Sequence, residues 1–105
     1  WRDYELAHPS RPVLLVEVAE ASLDDDRGPK AGLYARAGVH DYWIVNLVDR
    51  VLEVRRAPAP SPTVPSGWSY RAVAILEPGA SVTPLARPGA PIEVADLLPR
   101  ATYSR

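Results

Sequence analysis

Glu17 and Lys30 are the residues whose type and position could support chemistry. Glu17 lies within Val13–Val18, a run whose five remaining residues are all aliphatic. An isolated carboxylate in a buried strand is costly, so Glu17 must be paired, protonated or metal-bound. A buried ion pair with a lysine or arginine explains Glu17 as well as a metal site does, and the strand alone does not decide between them.

Lys30 begins the helical segment that follows this strand. A strand–loop–helix unit returns the helix across its own strand, so we expect the Lys30 ammonium within about 4 Å of Glu17, or one water molecule beyond that distance. The Glu17 carboxylate should be largely buried and face a cleft. A solvated helix lysine is the simpler interpretation of Lys30 taken alone. Asp26 is predicted to be a helix N-cap rather than a ligand, and Tyr34 to pack in the core.

Other polar residues offer weaker alternatives. His8 and His40 are isolated and the sequence contains no cysteine, which argues against a zinc site. Ser22 has no histidine near it in sequence, so a serine hydrolase is only a remote third alternative. Surface arginines are common, but three on the later strands could meet a phosphate group: Arg55, Arg56 and Arg71.

The aliphatic run around Glu17 predicts a strand near the centre of a sheet and buried on both of its faces. The polar segment Ser22–Gly28 predicts a loop. Proline is tolerated in the first turn of a helix and glycine commonly follows the last, so Pro29 and Gly38 predict a helix over about residues 27–37.

The rest of the chain reads as extended segments. Strands are predicted over 41–46, 51–56 and 68–76, and residues 47–50 form a hairpin-length connection. The segment Ala57–Gly67 contains four prolines and is predicted to be an exposed loop without ladder hydrogen bonds. Short extended pieces around 82 and 92–94 precede a helical turn at 95–98. The fold class predicted is α/β or α+β, a mixed sheet with one principal helix.

Composition excludes several classes of protein. The chain has 105 residues, a net charge of −1 and no apolar run near the length of a membrane span. We therefore expect a cytoplasmic protein without a membrane segment, and one that does not coat nucleic acid through bulk charge. The sequence begins at Trp1 and lacks methionine, which leads us to expect residues 1–105 to be a single, partial domain.

Several segments together resemble the Uma-two family of restriction-endonuclease-like proteins, which have the PD-(D/E)XK nuclease fold. The resemblance covers nearly the whole chain, and it rests on a strand glutamate, a helix lysine and a Tyr-Trp strand in register. The segments that carry it are Pro12–Lys30, Leu33–Ala35, Ala37–Val39, Asp41–Val45, Glu77–Gly79 and Val94–Pro99.

The resemblance implies a metal-dependent endonuclease that acts on DNA. Glu17 matches the glutamate of the (D/E)XK element, while the lysine implied by the family pattern is Lys30 of the helix. The implied Mg²⁺ or Mn²⁺ would be held by Glu17 and the backbone carbonyl of Val18. Asp26 and Tyr34 match further family positions and would support the site.

Three departures from the family pattern affect the expected activity. The family's second metal-binding aspartate is expected upstream of Trp1, so we expect weak metal binding and little cleavage by this chain. Asn46 stands where the family usually has aspartate, and Pro29 directly before Lys30 is unusual. The alternative function is a non-catalytic binding or assembly module that keeps the nuclease fold. Exposed sheet edges would also allow a homodimer.

Overall fold

The computed structural model describes residues 14–99. One strand and two helices come first, and a part made mostly of antiparallel strands follows. The elements in chain order are β1 (Leu14–Ala19), α1 (Leu23–Arg27), α2 (Pro29–Arg36), β2 (Asp41–Asn46), β3 (Val51–Pro60), β4 (Trp68–Leu76), β5 (Ser81–Val82), β6 (Ile92–Glu93) and α3 (Val94–Leu97).

The main sheet is mixed and has the order β1-β2-β3-β4. β1 runs parallel to β2, whereas β2–β3 and β3–β4 are antiparallel. All six residues of β2 are buried, and β2 lies inside the described sheet between β1 and β3. The predicted α+β class, with a mixed sheet and one principal helix, is confirmed and is compatible with a restriction-endonuclease-like fold.

The predicted position of β1 needs correction. Within residues 14–99, β1 pairs with β2 alone and forms one end of the strand order. Val18 is 63% exposed, so β1 is not buried on both faces. Unlike β2, β1 has a described neighbouring strand on one side only. A run of aliphatic residues does not distinguish a strand inside a sheet from a strand at its edge.

Each face of the sheet carries its own core. Helix α2 covers one face, where Ala31 and Ala35 pack with Tyr42 and Ile44. The opposite face is closed by the small β5–β6 sheet and α3, with Trp43 at its centre. Successive residues of a strand point to opposite faces, so neighbouring side chains of β2 serve different cores.

The region before α2 differs from the prediction. Residues 23–27 form α1 instead of a loop, and three aspartates occupy its first turn, where the helix dipole favours negative charge. Gly28, not Asp26, is the N-cap of α2, and Pro29 begins that helix as predicted. Gly38 has a φ of +84° just after the end of α2, which confirms the predicted stop.

The proline-rich segment also differs. β3 continues to Pro60, and Pro58 pairs with Tyr70 of β4, so the predicted loop of 57–67 begins only after the strand. The pairing between β2 and β3 stops at Asp41 and Arg56. Residues 57–60 of β3 therefore have a neighbouring strand, β4, on one side only. Proline is tolerated on such an edge because it needs no second ladder donor.

The remaining predicted elements are confirmed. Strands β2 and β4 have the predicted limits, β5 and β6 lie in the predicted extended pieces, and α3 begins at Val94, one residue earlier than predicted. No helix within residues 14–99 combines the length and the apolarity that crossing a membrane requires.

Candidate functional site

Glu17 and Lys30 meet on the face of the sheet that α2 covers. The Lys30 Nζ atom lies 3.6 Å from Glu17 Oε2, which is within the predicted distance. Tyr34, one turn further along α2, donates its hydroxyl hydrogen bond to the same oxygen at 2.8 Å. The Glu17 side chain is 26% exposed, so it is less buried than predicted and remains open to solvent.

Asp26 is the second carboxylate of this cluster. It is fully buried in α1, and Ser22 Oγ donates to its Oδ2 at 2.9 Å. Lys30 Nζ lies 3.1 Å from Oδ1, the atom that has no other polar partner within residues 14–99. The structure therefore corrects the predicted N-cap role, because Asp26 instead holds the ammonium that also faces Glu17.

The charge of Lys30 is stabilised from two sides. The hydrogen bond with Asp26 raises the pKa of Lys30, and the charge of Glu17 adds to this, although partial burial opposes it. Ser22, the residue considered for a serine hydrolase, is bound to Asp26, and His40 is exposed before β2. His8 lies outside the described residues.

The other oxygen of Glu17 bears on metal binding. Both Tyr34 and Lys30 approach Oε2, and no hydrogen bond within residues 14–99 engages Oε1. No three His, Cys, Asp or Glu side chains in the described part of the chain could together hold a metal ion. Mg²⁺ is often bound by one or two carboxylates and keeps several waters, so this oxygen fits a weak site.

A second buried carboxylate, Glu53 of β3, was not predicted. Its side chain is 1% exposed and accepts hydrogen bonds from Arg27 of α1, from Arg55 Nη1 at 3.1 Å and from Asn46 Nδ2 at 3.0 Å. Burial opposes its ionisation, but the bonds from Arg27 and Asn46 and the charge of Arg55 hold the pKa of Glu53 below its usual range.

Glu17 and Glu53 lie in one row across the sheet. Glu17 pairs with Ile44 of β2, and Ile44 pairs with Glu53. Directly paired residues point to the same face, so both carboxylates face the helices, two strand spacings or about 10 Å apart. Lys30 and Arg27, three residues apart, contact the two ends of this row.

A third buried carboxylate, Asp41, lies on the opposite face. Arg56 Nε donates to it at 2.8 Å, Trp43 Nε1 at 2.6 Å and the backbone amide of Leu85 at 2.9 Å. These bonds tie β2 and β3 to the segment that follows β5, which is a structural role. Arg55 and Arg56 consequently point to different faces and do not form one phosphate-binding group.

The sequence offered one signal for Glu53 that could have been used. Leu52-Glu53-Val54 repeats the pattern of a carboxylate between aliphatic residues that marked Glu17. Its arginine partners could not be found this way, since Arg27 is 26 residues distant and reaches Glu53 only because α1 forms.

The fold and the site together define an α+β protein in which a strand glutamate lies beside a helix lysine, an arrangement compatible with restriction-endonuclease-like proteins. The family model Uma2, described as "Putative restriction endonuclease", matches residues 1–90. The chain belongs to this family, as the resemblance predicted. No curated protein and no solved structure matches the chain.

Proposed function

We propose that this protein hydrolyses phosphodiester bonds of DNA with the help of Mg²⁺ or Mn²⁺, with Glu17 as a metal-binding carboxylate and Lys30 as the catalytic lysine. Membership of the Uma2 family supports nuclease chemistry. The observation that carries the assignment of residues is the 3.6 Å separation of Lys30 Nζ and Glu17 Oε2.

Each side chain has a distinct role in this proposal. Glu17 Oε1, which accepts no hydrogen bond within residues 14–99, and the carbonyl of Val18 would hold the metal ion, which supplies charge stabilisation to the phosphate when bound. Lys30 orients the attacking water and offsets phosphate charge. Tyr34 and Asp26 position Glu17 and Lys30 through the bonds described above. With few protein ligands among residues 14–99, metal binding is weak and cleavage is slow.

The test is a plasmid-nicking assay with titrations of Mg²⁺ and Mn²⁺. Slow, metal-dependent cleavage is expected, and Glu17→Gln and Lys30→Met should each abolish it while thermal melting shows a folded protein. Glu20→Gln is the matched control, because Glu20 is exposed just beyond β1. Full activity in Glu17→Gln would reject the mechanism.

Metal binding has a separate readout. Lys30 is the one lysine in the sequence, so reductive ¹³C-methylation labels Lys30 and the amino terminus alone. Mn²⁺ bound at Glu17 should broaden the Lys30 methyl signal, and Glu17→Gln should remove that broadening. An unchanged signal at millimolar Mn²⁺ would place the metal elsewhere.

A non-catalytic DNA-binding module is the second candidate function. The observation that favours it is that the ammonium of Lys30 is already paired with both carboxylates of the cluster, Glu17 and Asp26. DNA binding that persists in EDTA, with no cleavage at any metal concentration, would support this candidate over the nuclease.

We also propose that two copies pair through β4. This strand ends the described sheet, and Val73 and Ile75 on it are 51% and 56% exposed. An antiparallel register centred on Ala74 would set Arg71 of one copy against Glu77 of the other. Sedimentation velocity should show a dimer that Ile75→Lys dissociates, whereas Val48→Lys in the β2–β3 turn should not; a monomeric wild-type chain would refute the pairing.

A further inference from the structure

A pocket of about 650 Å³ lies beside α2, on the side toward β3 and β4. Its lining comes from the end of α1, from the length of α2, from the loop between β3 and β4, and from β3 and β4 themselves. The volume is within the range of about 300–1,000 Å³ that small-molecule sites occupy. Lys30 and Glu17 are not among its lining residues, so the pocket is separate from the candidate catalytic site.

The charge of the pocket favours an anion. Arg27, Arg36 and Arg55 line it, and no aspartate or glutamate does. Glu53, behind the lining, binds Arg27 and Arg55 and so compensates one of the three positive charges. Arg36 is exposed and forms no ion pair within residues 14–99.

The pocket also offers aromatic surface. Trp68 and Tyr70 line it from β4, and Trp68 is partly exposed. Tyr70 is fixed in place because its hydroxyl donates to the Val39 carbonyl at 2.6 Å. Aromatic side chains bind planar bases by stacking, with little dependence on which base is present.

We infer that this pocket binds one nucleotide, with the base against Trp68 and the phosphate toward the arginines, in particular Arg36. Glu53 holds Arg27 and Arg55 in position, so these arginines can donate hydrogen bonds to a phosphate with little loss of side-chain entropy. The assignment of the nucleotide to a DNA strand rests on the proposed nuclease function. A strand that fills the pocket would pass over α2 and bring a neighbouring phosphodiester toward Lys30.

The test is isothermal titration of the full chain in EDTA, where cleavage cannot occur. Thymidine monophosphate should bind roughly tenfold or more tightly than either thymidine or inorganic phosphate, because only the nucleotide engages both stacking and charge. Equal binding of inorganic phosphate would reduce the site to an anion site and overturn the inference. Tighter binding of phosphotyrosine than of the nucleotide would overturn it in favour of a phosphopeptide.

Two variants locate the binding. Trp68→Leu should weaken thymidine monophosphate roughly tenfold by removing the stacking surface while keeping an apolar side chain. Arg36→Gln, an exposed change that leaves the core intact, should weaken binding several-fold and lower the salt dependence by about one ion. Arg87→Gln is the matched control, since Arg87 is exposed and lies outside the pocket. Unchanged affinity in Arg36→Gln would refute the site even if Trp68→Leu fails to fold.

Binding of oligothymidylate shows whether the nucleotide belongs to a DNA strand or is a free mononucleotide. Tighter binding of the oligonucleotide than of the monophosphate supports a DNA strand, whereas equal binding supports a free mononucleotide and overturns the strand assignment. A chain that binds the nucleotide but never cuts DNA keeps the pocket and rejects the nuclease function. Cleavage without nucleotide binding rejects the pocket alone.

Discussion

Tyr34 donates a 2.8 Å hydrogen bond to Glu17, and this bond joins helix α2 to strand β1 at the candidate site. Burial, together with this bond, raises the pKa of Tyr34 to about 12. The phenol therefore keeps its proton at neutral pH and acts as a donor. Lys30 approaches the same oxygen, so two groups of α2 contact one side of the carboxylate, and no hydrogen bond within residues 14–99 engages its other oxygen.

Tyr34→Phe tests whether that bond orients Glu17. Loss of the donor should lower metal affinity and cleavage about tenfold, the lower end of the effect seen for partners of metal ligands. The unfolding free energy should change by only about 1 kcal/mol. Metal titrations of the nicking rate and urea unfolding measure the two effects, and a loss of stability with unchanged metal dependence would make Tyr34 purely structural.

Tyr42→Phe should have a different outcome. The Tyr42 hydroxyl is buried and donates to the Asp26 backbone carbonyl at 2.9 Å. Its removal leaves that carbonyl without this partner, which should cost about 1–3 kcal/mol. Urea unfolding beside Tyr34→Phe provides the comparison, and an equal or smaller loss than in Tyr34→Phe would contradict the assignment.

Glu53→Gln should destabilise the fold in a pH-dependent way. At pH 7 the substitution leaves Arg27 and Arg55 without their buried carboxylate and should cost about 3 kcal/mol. The pKa of Glu53 in the folded protein lies below its ordinary value of 4.5, so the contribution is complete above that value. It is lost as the pH falls through the lowered pKa.

Unfolding measured from pH 7 to pH 3 should therefore show the wild-type and Glu53→Gln curves converging in acid. Exposed Glu93 supplies the control, and Glu93→Gln should follow the wild type at every pH. A constant difference between wild type and Glu53→Gln across this range would show that ionised Glu53 contributes nothing to stability.

Gly32→Ala tests the contact between α2 and the loop before β4. A Cβ at Gly32 would clash with Ser66 Oγ and would lie 2.7 Å from Ser66 Cβ, so Ser66 would have to move. The clash should outweigh the helix propensity of alanine and destabilise the protein by about 1 kcal/mol. In a Ser66→Gly background the same change should cost less, because the one close contact that remains is the Trp68 carbonyl oxygen at 3.3 Å.

A double-mutant cycle by thermal melting measures this coupling. Gly89→Ala is a suitable control, because a Cβ there meets nothing within 4 Å. Equal effects of Gly32→Ala with and without Ser66 would show that the loop does not rest on the helix.

The sequence predicted the strand that carries Glu17 and the proximity of Lys30, because a strand–helix unit constrains both. It did not predict α1. Its three aspartates read as a solvated loop, and only Asp26 is buried against Ser22 and Lys30. The catalytic and metal-binding roles of Glu17, Lys30 and Val18 remain predictions.

The proline-rich segment shows a second limit of sequence reasoning. Proline cannot donate a backbone hydrogen bond, so it is excluded from a strand paired on both sides but is tolerated in a strand paired on one side. Pro58 and Pro60 occupy the part of β3 that β2 does not reach. Whether a strand is central or at an edge depends on pairing between distant segments. For the same reason the Arg27–Glu53 pair was not predictable, since the sheet order has to be known first.

The buried strand β2 has a consequence for how this protein can evolve. Its six residues are paired on both sides, so the separation of Glu17 and Glu53 is set by backbone hydrogen bonds and not by side chains. Substitutions around either end of that row can change the local chemistry without altering the distance between Glu17 and Glu53, whereas replacing Glu53 itself costs stability. The proposed catalytic site and the proposed nucleotide pocket, which both border α2, can therefore change separately on one backbone arrangement.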